Sequence, residues 1–445
     1  MTSDKHIQIK VPSSKSLSHR ALIAGAMSQD TTVVLEPLES NDINRTMDCL
    51  TTMGAEIEIN GSATTVKGFA SGPKGGLSEP AILEMRDSGT TCRLITAVAA
   101  AGKGLFRVQG TPRMHQRPIS ALTAAIRSQG INVTFAGRQG YPPMTIETRG
   151  FSGGIVDISL EDSSQYLSGL LLAAPLAREE MVINVIGRKA VSWPYVALTL
   201  EVMEGFRVPF SVEILKDGKW EKADWKKITR VVPGEIRFRV QPSKYNCEEF
   251  KVEADWSSAS YFAAAGAVGR KPVMIKGVSV DSMQGDRAIL DILKKMGAYI
   301  EYDNHGITVH PSKLHGVEVD MGLCPDLVPT VCATAAFAEG PTVIKNVAHL
   351  RIKECDRLEA SANEVIRAGG KAEVYKDSIK VMPGKFRKGE KIVFSTYDDH
   401  RLAMSTAIYG LAGIKAVAED PGCVAKSFPG FWDEWKKVLK GNGCI

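Results

Sequence analysis

The run SSKSLSHR (13–20) places Lys15, Ser16 and Arg20 at what reads as a helix start. Free backbone N–H groups and the positive end of the helix dipole favour an anion there, phosphate above all. DSGTTCRL (87–94) repeats the plan, with Gly89 able to bring backbone close to a ligand and Arg93 one turn on. GTPRMHQRPI (110–119) sets Arg113 and Arg117 in a proline-rich loop, where planar guanidinium forks can grip carboxylate or phosphate. DSSQYL (162–167) offers Ser163, Ser164 and Gln165 at a third helix start, and VSWPY (191–195) adds Ser192 and Tyr195. Hydroxyls and amides of this kind can bind a phosphate and orient a sugar-like ring.

The second half supplies acids and further bases. Asp326 opens an apolar helix in CPDLVPT, and LRIKECDRL (350–358) carries Arg351, Lys353, Glu354, Asp356 and Arg357. DDHRLAM (398–404) holds Asp399, His400 and Arg401, and VAKSFPGFW (424–432) brings in Lys426. Each motif alone reads equally well as a capped helix or a solvated charged face. Their recurrence is what carries meaning. Arginines and lysines return at helix starts or adjacent loops throughout the chain, which implies a ligand with two anionic ends in a charge-neutralising cleft.

These residues must be positioned by a chain of 445 residues, too long for one hydrophobic core. With 44% hydrophobic residues it has an ordinary globular composition. The formal net charge of +5, without a polybasic run, does not point to nucleic acid. The longest apolar runs, such as LSGLLLAAPLA (167–177), fall short of the roughly 20 residues a membrane span needs. No signal segment is expected ahead of Ser13, and the chain reads as cytoplasmic. Eight scattered cysteines with no CxxC pair and no zinc-like His spacing predict free thiols and no metal.

One plan recurs about six times. A polar or small-residue cluster opens an Ala/Leu-rich helix, a β-branched strand follows, then an amphipathic helix and two short strands. The first helices start at Ser13, Asp87, Asp162, Asp255, Pro325 and Asp398. They are apolar on nearly every face and should be buried, with Ser, Asp or Thr as caps. Second helices such as RAILDILKKMG (287–297) are more charged and should be exposed. Gly54, Gly130, Gly297 and Gly369 are expected to stop them, leading into alternating, half-buried strands such as AEIEI. Buried helices enclosed by sheets and outer helices follow as an α/β (α+β) architecture. A boundary is expected near 240–250, leaving three repeats on each side.

Together SSKSLSHRAL, SGTTCRL, PRMHQRPI, DSSQYLSGLL, SSASYF, PDLVPT, LRIKECDRL, DDHRLAM and VAKSFP closely resemble the 5-enolpyruvylshikimate-3-phosphate synthase family, over nearly the whole chain and in the same order. The resemblance implies two domains of three βαβαββ repeats, an inside-out α/β barrel in each. It also implies that one domain is discontinuous: 1–14 with 246–445, against 15–245. The implied reaction joins phosphoenolpyruvate to the 5-hydroxyl of shikimate 3-phosphate, on the route to chorismate and the aromatic amino acids. Lys15, Asp326 and Glu354 would be catalytic. Shikimate 3-phosphate would meet Lys15, Ser16, Arg20, Ser163, Ser164, Gln165, Ser192, Tyr195, Asp326, His349 and Lys353. Phosphoenolpyruvate would meet Lys15, Gly89, Arg93, Arg117, Gln165, Arg357, His400, Arg401 and Lys426. His349 stands where the family often has Asn. No metal or organic cofactor, nucleic acid or membrane is implied, the chain is expected to be a monomer, and glyphosate is the expected inhibitor.

Two alternatives stay open at this level. A UDP-N-acetylglucosamine enolpyruvyl transferase would typically show Lys-Asn where this chain has Lys15-Ser16, and a reactive Cys in the loop occupied by GTPRMHQRPI. A nucleic-acid end-processing protein on a related repeat fold would use the basic helix starts for backbone phosphates.

Overall fold

The structure is a computed structural model and describes residues 6–303 and 306–445. It divides into two units: Ser14–Val252, and Met1–Ser13 with Glu253–Ile445. Among the described residues no helix is long and apolar enough to cross a membrane.

The six first helices are Lys15–Met27, Gly89–Ala100, Gln165–Ala173, Trp256–Val268, Val328–Ala335 and His400–Thr406. Their small and apolar faces are buried nearly all round, as the sequence predicts. Ser14, Ser88, Asp255 and Asp399 cap four of them by accepting from the amides of Leu17, Thr91, Ser258 and Arg401. The other two depart from expectation. Ser164 makes no side-chain cap, and the Val328 helix is led in by a 3-10 turn at Pro325–Leu327, which releases Asp326 from a capping task.

Each repeat folds its strands into a small sheet. In the first unit Ala81–Glu84 runs parallel to Gly104–Gln109, with the Gly89 helix between them in sequence. Met144–Thr148 and Asn132–Phe135 then add antiparallel. The same order recurs in the second unit as Glu318–Asp320, Thr342–Lys345, Ile379–Met382 and Lys371–Val374. Gly54, Gly130, Gly297 and Gly369 all have positive φ at the ends of outer helices, the left-handed stop that glycine adopts without strain.

Two strands come from far along the sequence. Ile7–Lys10 pairs in parallel with Val273–Lys276, completing the first sheet of the second unit. Glu249–Lys251 pairs in parallel with Thr31–Leu35, completing the first sheet of the other. That pairing moves the division from the expected 245/246 to Val252/Glu253.

Three further details differ from the sequence reading. The polar stretch before Asp255, to which the sequence reading assigns no elements, is ordered: Phe210–Lys216 and Lys219–Ala223 form a hairpin, and Ile236–Val240 joins the same five-stranded sheet. Glu56–Asn60 lies at the edge of its sheet, so Ile59 is 57% exposed rather than half-buried. The last repeat stops after Lys391–Phe394 pairs with Lys415–Ala418 and the Phe431–Gly441 helix, without two closing strands.

Candidate active site

In the Ser14–Val252 unit the helix starts at Lys15, Gly89 and Gln165 present the expected residues. Lys15 Nζ donates to Asp42 at 3.0 Å, and the Asp42 side chain is only 3% exposed. Asp42 comes from the Asn41–Thr52 helix. A buried chain of hydroxyls ties these helices together: His19 Nδ1 meets Thr46 Oγ1 at 2.7 Å, Thr46 meets Thr91 at 2.8 Å, and Thr91 meets Ser88 at 2.7 Å. Burial, with Lys15 and Arg20 close by, holds the His19 imidazole well below its ordinary range, so it acts here as a neutral ring.

Arg20 is an anchor more than an open claw. Its Nε donates to Thr199 Oγ1 at 2.8 Å, one Nη to the Ser16 carbonyl at 2.7 Å, and the other to the Tyr195 carbonyl at 2.9 Å and Ser168 Oγ at 3.3 Å. Burial lowers its pKa to about 10, which still leaves it charged at neutral pH. The side chain thereby fixes the backbone that carries Ser16 and Tyr195. Arg93 is held similarly, donating to the Gly89 carbonyl at 2.9 Å and lying 5.9 Å over the Tyr166 ring.

Arg117 crosses the open face of Gly89. A Cβ built on Gly89 would stand 2.6 Å from both Nη atoms of Arg117, so the absent side chain is what makes room for the guanidinium. Gln165 Nε2 donates to Thr90 Oγ1 at 3.0 Å, and the Gln165 amide donates to Ser163 Oγ at 3.2 Å. Ser164 is buried. Ser192 sits in the left-handed region at φ 56°, and its hydroxyl caps no helix amide. A non-glycine residue held there is strained, and such strain clusters at ligand-binding positions.

In the second unit the charged motifs converge on Arg357, which is 1% exposed. It donates to Asp399 at 2.6 and 3.2 Å, to Asp326 at 2.9 Å and to Glu354 at 2.8 Å. Arg401 donates to the other oxygen of Asp326 at 2.8 Å. Lys353 lies 4.0 Å from Asp326, and Lys426 lies 3.8 Å from Glu354. His400 Nδ1 is 4.0 Å from Asp399, which also caps its helix. His349, on the 3-10 turn Ala348–Ile352, is buried. Three carboxylates thus face four cations in a largely buried site, where opposite charges offset the cost of burial and leave one positive charge over.

The charges fix protonation. Burial works against Asp326, yet Arg401, Lys353 and Arg357 outweigh it and hold the carboxyl well below the usual range. Asp286 goes the other way: burial, and then Asp326, push it up to about 7. It accepts from Ser257, at the start of the Trp256 helix. Burial likewise disfavours the charge on Arg357, but Asp399, Glu354 and Asp326 raise it well above its ordinary value.

Asp42, Asp286 and the tasks of His19, Thr46 and Thr91 escape sequence reasoning. A carboxylate in NDINRT or SMQGDR looks like any solvated charge. Only the folding-over of neighbouring helices makes it a partner. All eight cysteines are free thiols, and Cys355 Sγ meets Asp399 at 3.7 Å.

Known proteins match the fold and nearly the whole sequence. The structure is similar to an EPSP synthase from Acinetobacter baumannii, with TM-score 0.72 at 26% identity, covering 99% of this chain and 96% of that one. It shares its fold with the enolpyruvyl transferase NikO from Streptomyces tendae, with TM-score 0.70 at 15% identity over 97% and 94% of the two chains. The fold is that of an enolpyruvyl transferase. The sequence profile described as EPSP synthase (3-phosphoshikimate 1-carboxyvinyltransferase) matches residues 3–435. The chain is 37% identical to a 3-phosphoshikimate 1-carboxyvinyltransferase of Marinomonas sp. (strain MWYL1), and 36% identical to one of Sulfurovum sp. (strain NBC37-1); each comparison covers 97% of this chain and 96% of the relative. The chain belongs to the EPSP synthase family.

Proposed function

We propose that this chain transfers the enolpyruvyl group of phosphoenolpyruvate to the 5-hydroxyl of shikimate 3-phosphate and releases phosphate. The observation that supports it most is the Arg357-centred set of Asp326, Glu354 and Asp399, within a chain that matches the family from end to end. It acts as a monomer in the cytoplasm on these small molecules, without metal, organic cofactor or nucleic acid.

The reaction proceeds by addition and elimination. The 5-hydroxyl oxygen bonds to C2 of phosphoenolpyruvate and gives up its proton, while C3 gains one. The tetrahedral adduct then loses phosphate from C2 and a proton from C3. Asp326 is kept ionised, so it accepts a hydrogen bond from the hydroxyl and orients it. A carboxylate held so far down is a weak base, so it takes the hydroxyl proton only as the O–C2 bond forms and the oxygen turns acidic, and that proton then leaves with the phosphate. Glu354 gives and takes the C3 proton. Lys15 stabilises charge on the departing phosphate oxygen. The substrate phosphate rests on Ser163, Ser164 and Ser192, the ring lies against Tyr195, and Arg20 keeps Ser16 and Tyr195 in register. Phosphoenolpyruvate oxygens take over contacts that Arg357 and Arg401 now make with Asp326, joined by Gly89, Arg93, Arg117, Gln165, His400 and Lys426. His349 and Lys353 complete the shikimate contacts.

The test is phosphate release from phosphoenolpyruvate with each acceptor in turn. Release that requires shikimate 3-phosphate supports the reading. Release driven equally by UDP-N-acetylglucosamine, or independent of any acceptor, sinks it.

A further inference from the structure

The buried helices of the Ser14–Val252 unit begin at proposed substrate-binding residues, and their far ends meet a cavity. The helices end at Met27, Ala100 and, through a 3-10 turn, Leu176, and beyond them lies a space of about 670 Å3. Buried Met27, Phe69 and Phe151 give it an apolar floor. Lys103, Arg149, Arg178 and Lys244 stand around it, all exposed, and no described residue lining it is acidic.

These four cations are uncompensated. None makes a side-chain hydrogen bond or ion pair with a described residue, unlike Arg237 with Glu213 and Arg239 with Glu180 in the same unit. Nor are they used to cap the helix ends. The Ala26 carbonyl accepts from the Phe69 amide at 2.7 Å, and the Ala100 carbonyl from Thr148 Oγ1 at 2.6 Å. The Leu172 carbonyl accepts from the Tyr245 hydroxyl at 2.6 Å, and that of Pro175 from the Ser243 amide at 3.1 Å. Ser243 Oγ, by contrast, is buried beside the cavity with no hydrogen-bond partner among the described residues. Like charges gathered without acids repel one another, and the negative helix ends offset only part of that repulsion.

We propose that this cavity is a binding site for a small organic anion with an apolar body: a ring carrying carboxylate or phosphate groups. The ring covers Met27, Phe69 and Phe151, and the anionic groups meet the four cations. The volume is that of an ordinary small-molecule site. The site is separate from the proposed substrate contacts of the same unit. The Lys15–Met27 helix has 13 residues, so Lys15 and Met27 stand roughly 20 Å apart along it. The inference rests on this geometry alone and is independent of the proposed reaction.

The test uses the full chain with carbon-13 in its methionine methyls, the Met27 signal being assigned by loss in Met27→Leu. Benzene-1,3-dicarboxylate and phenyl phosphate are titrated separately, with benzyl alcohol as the neutral control. Saturable movement of the Met27 signal with the dicarboxylate, the phosphate or both is the expected result, and which probe moves it identifies the anionic group preferred. The Arg149→Gln/Arg178→Gln double variant should need about tenfold or more of the same probe, with its other methionine signals unmoved. No movement with either anion overturns the proposal. So does equal movement with benzyl alcohol, or undiminished affinity in the double variant.

Discussion

Glu354 is held between Arg357 at 2.8 Å and Lys426 at 3.8 Å, so its carboxylate is oriented by two cations rather than buried alone. Glu354→Gln keeps the shape and one acceptor oxygen, for Arg357 or Lys426 but not both, and removes the negative charge and the exchangeable proton. Turnover should fall by about 10²–10⁴, while shikimate 3-phosphate binding, measured by calorimetry, changes little. Near-normal turnover would reduce Glu354 to a structural partner of Arg357. Gly89 makes a different kind of prediction. A methyl group there must displace the Arg117 guanidinium, which it would approach to 2.6 Å. The cost of crowding such a site is about 1–3 kcal/mol, and a ligand longer than phosphoenolpyruvate should feel it first. Gly89→Ala should therefore raise the inhibition constant of glyphosate more than the KM of phosphoenolpyruvate. Equal factors in both would mean that the methyl group acts only through Arg117.

Asp286 gives the pH prediction. Its folded pKa of about 7 lies above that of an unfolded aspartate, because burial and then Asp326 penalise the charge. Its contribution to stability is complete below about pH 4 and is lost as pH rises through about 7. Asp286→Asn keeps an acceptor for Ser257 and cannot ionise. The denaturation midpoint of this variant, relative to the natural chain, should climb between those two pH values and then level off. A difference that does not vary with pH would place the charge elsewhere. The charged residues of LRIKECDRL and DDHRLAM could be read from the sequence. Their arrangement around one arginine could not, because spacing along a chain does not reveal which side chains of different helices converge.

Among the elements, the buried helices were the most legible and their sheets the least. Ala-rich, apolar-all-round stretches such as SSASYFAAAGAV leave a helix no solvent face, and Asp255 marks where it starts. Asp255 accepts from both the amide and the hydroxyl of Ser258 at 2.7 Å. Replacing it by Ala should lower stability by about 0.5–2 kcal/mol, seen in urea denaturation. An unchanged midpoint would show that packing alone fixes the helix start. Three-residue strands such as Glu249–Lys251 and Glu318–Asp320 are too short to announce themselves by alternation. The hairpin Phe210–Lys216/Lys219–Ala223 was hidden by its lysines and glutamates, which suit an edge strand as well as a loop. Asp217-Gly218, both at positive φ, was the available signal for its turn.

For the whole molecule, the repeat made the plan visible and the strand exchange hid its boundary. Ile7–Lys10 belongs to the sheet of Val273–Lys276, and Glu249–Lys251 to that of Thr31–Leu35, so the first sheet of each unit is completed by a strand more than 200 residues away in sequence. No local composition marks such a crossing. The proposed reaction draws on residues of each unit: the helix starts at Lys15, Gly89 and Gln165 in one, and the Arg357 carboxylate cluster in the other. The most direct test of that account is proton NMR of the reaction mixture in deuterated water, with phosphoenolpyruvate and shikimate 3-phosphate as the only substrates. The account predicts an enolpyruvyl ether on the 5-oxygen of shikimate 3-phosphate, one phosphate released per ether, and deuterium in the product methylene. Failure to form the ether, or an ether whose methylene carries no deuterium, would contradict it.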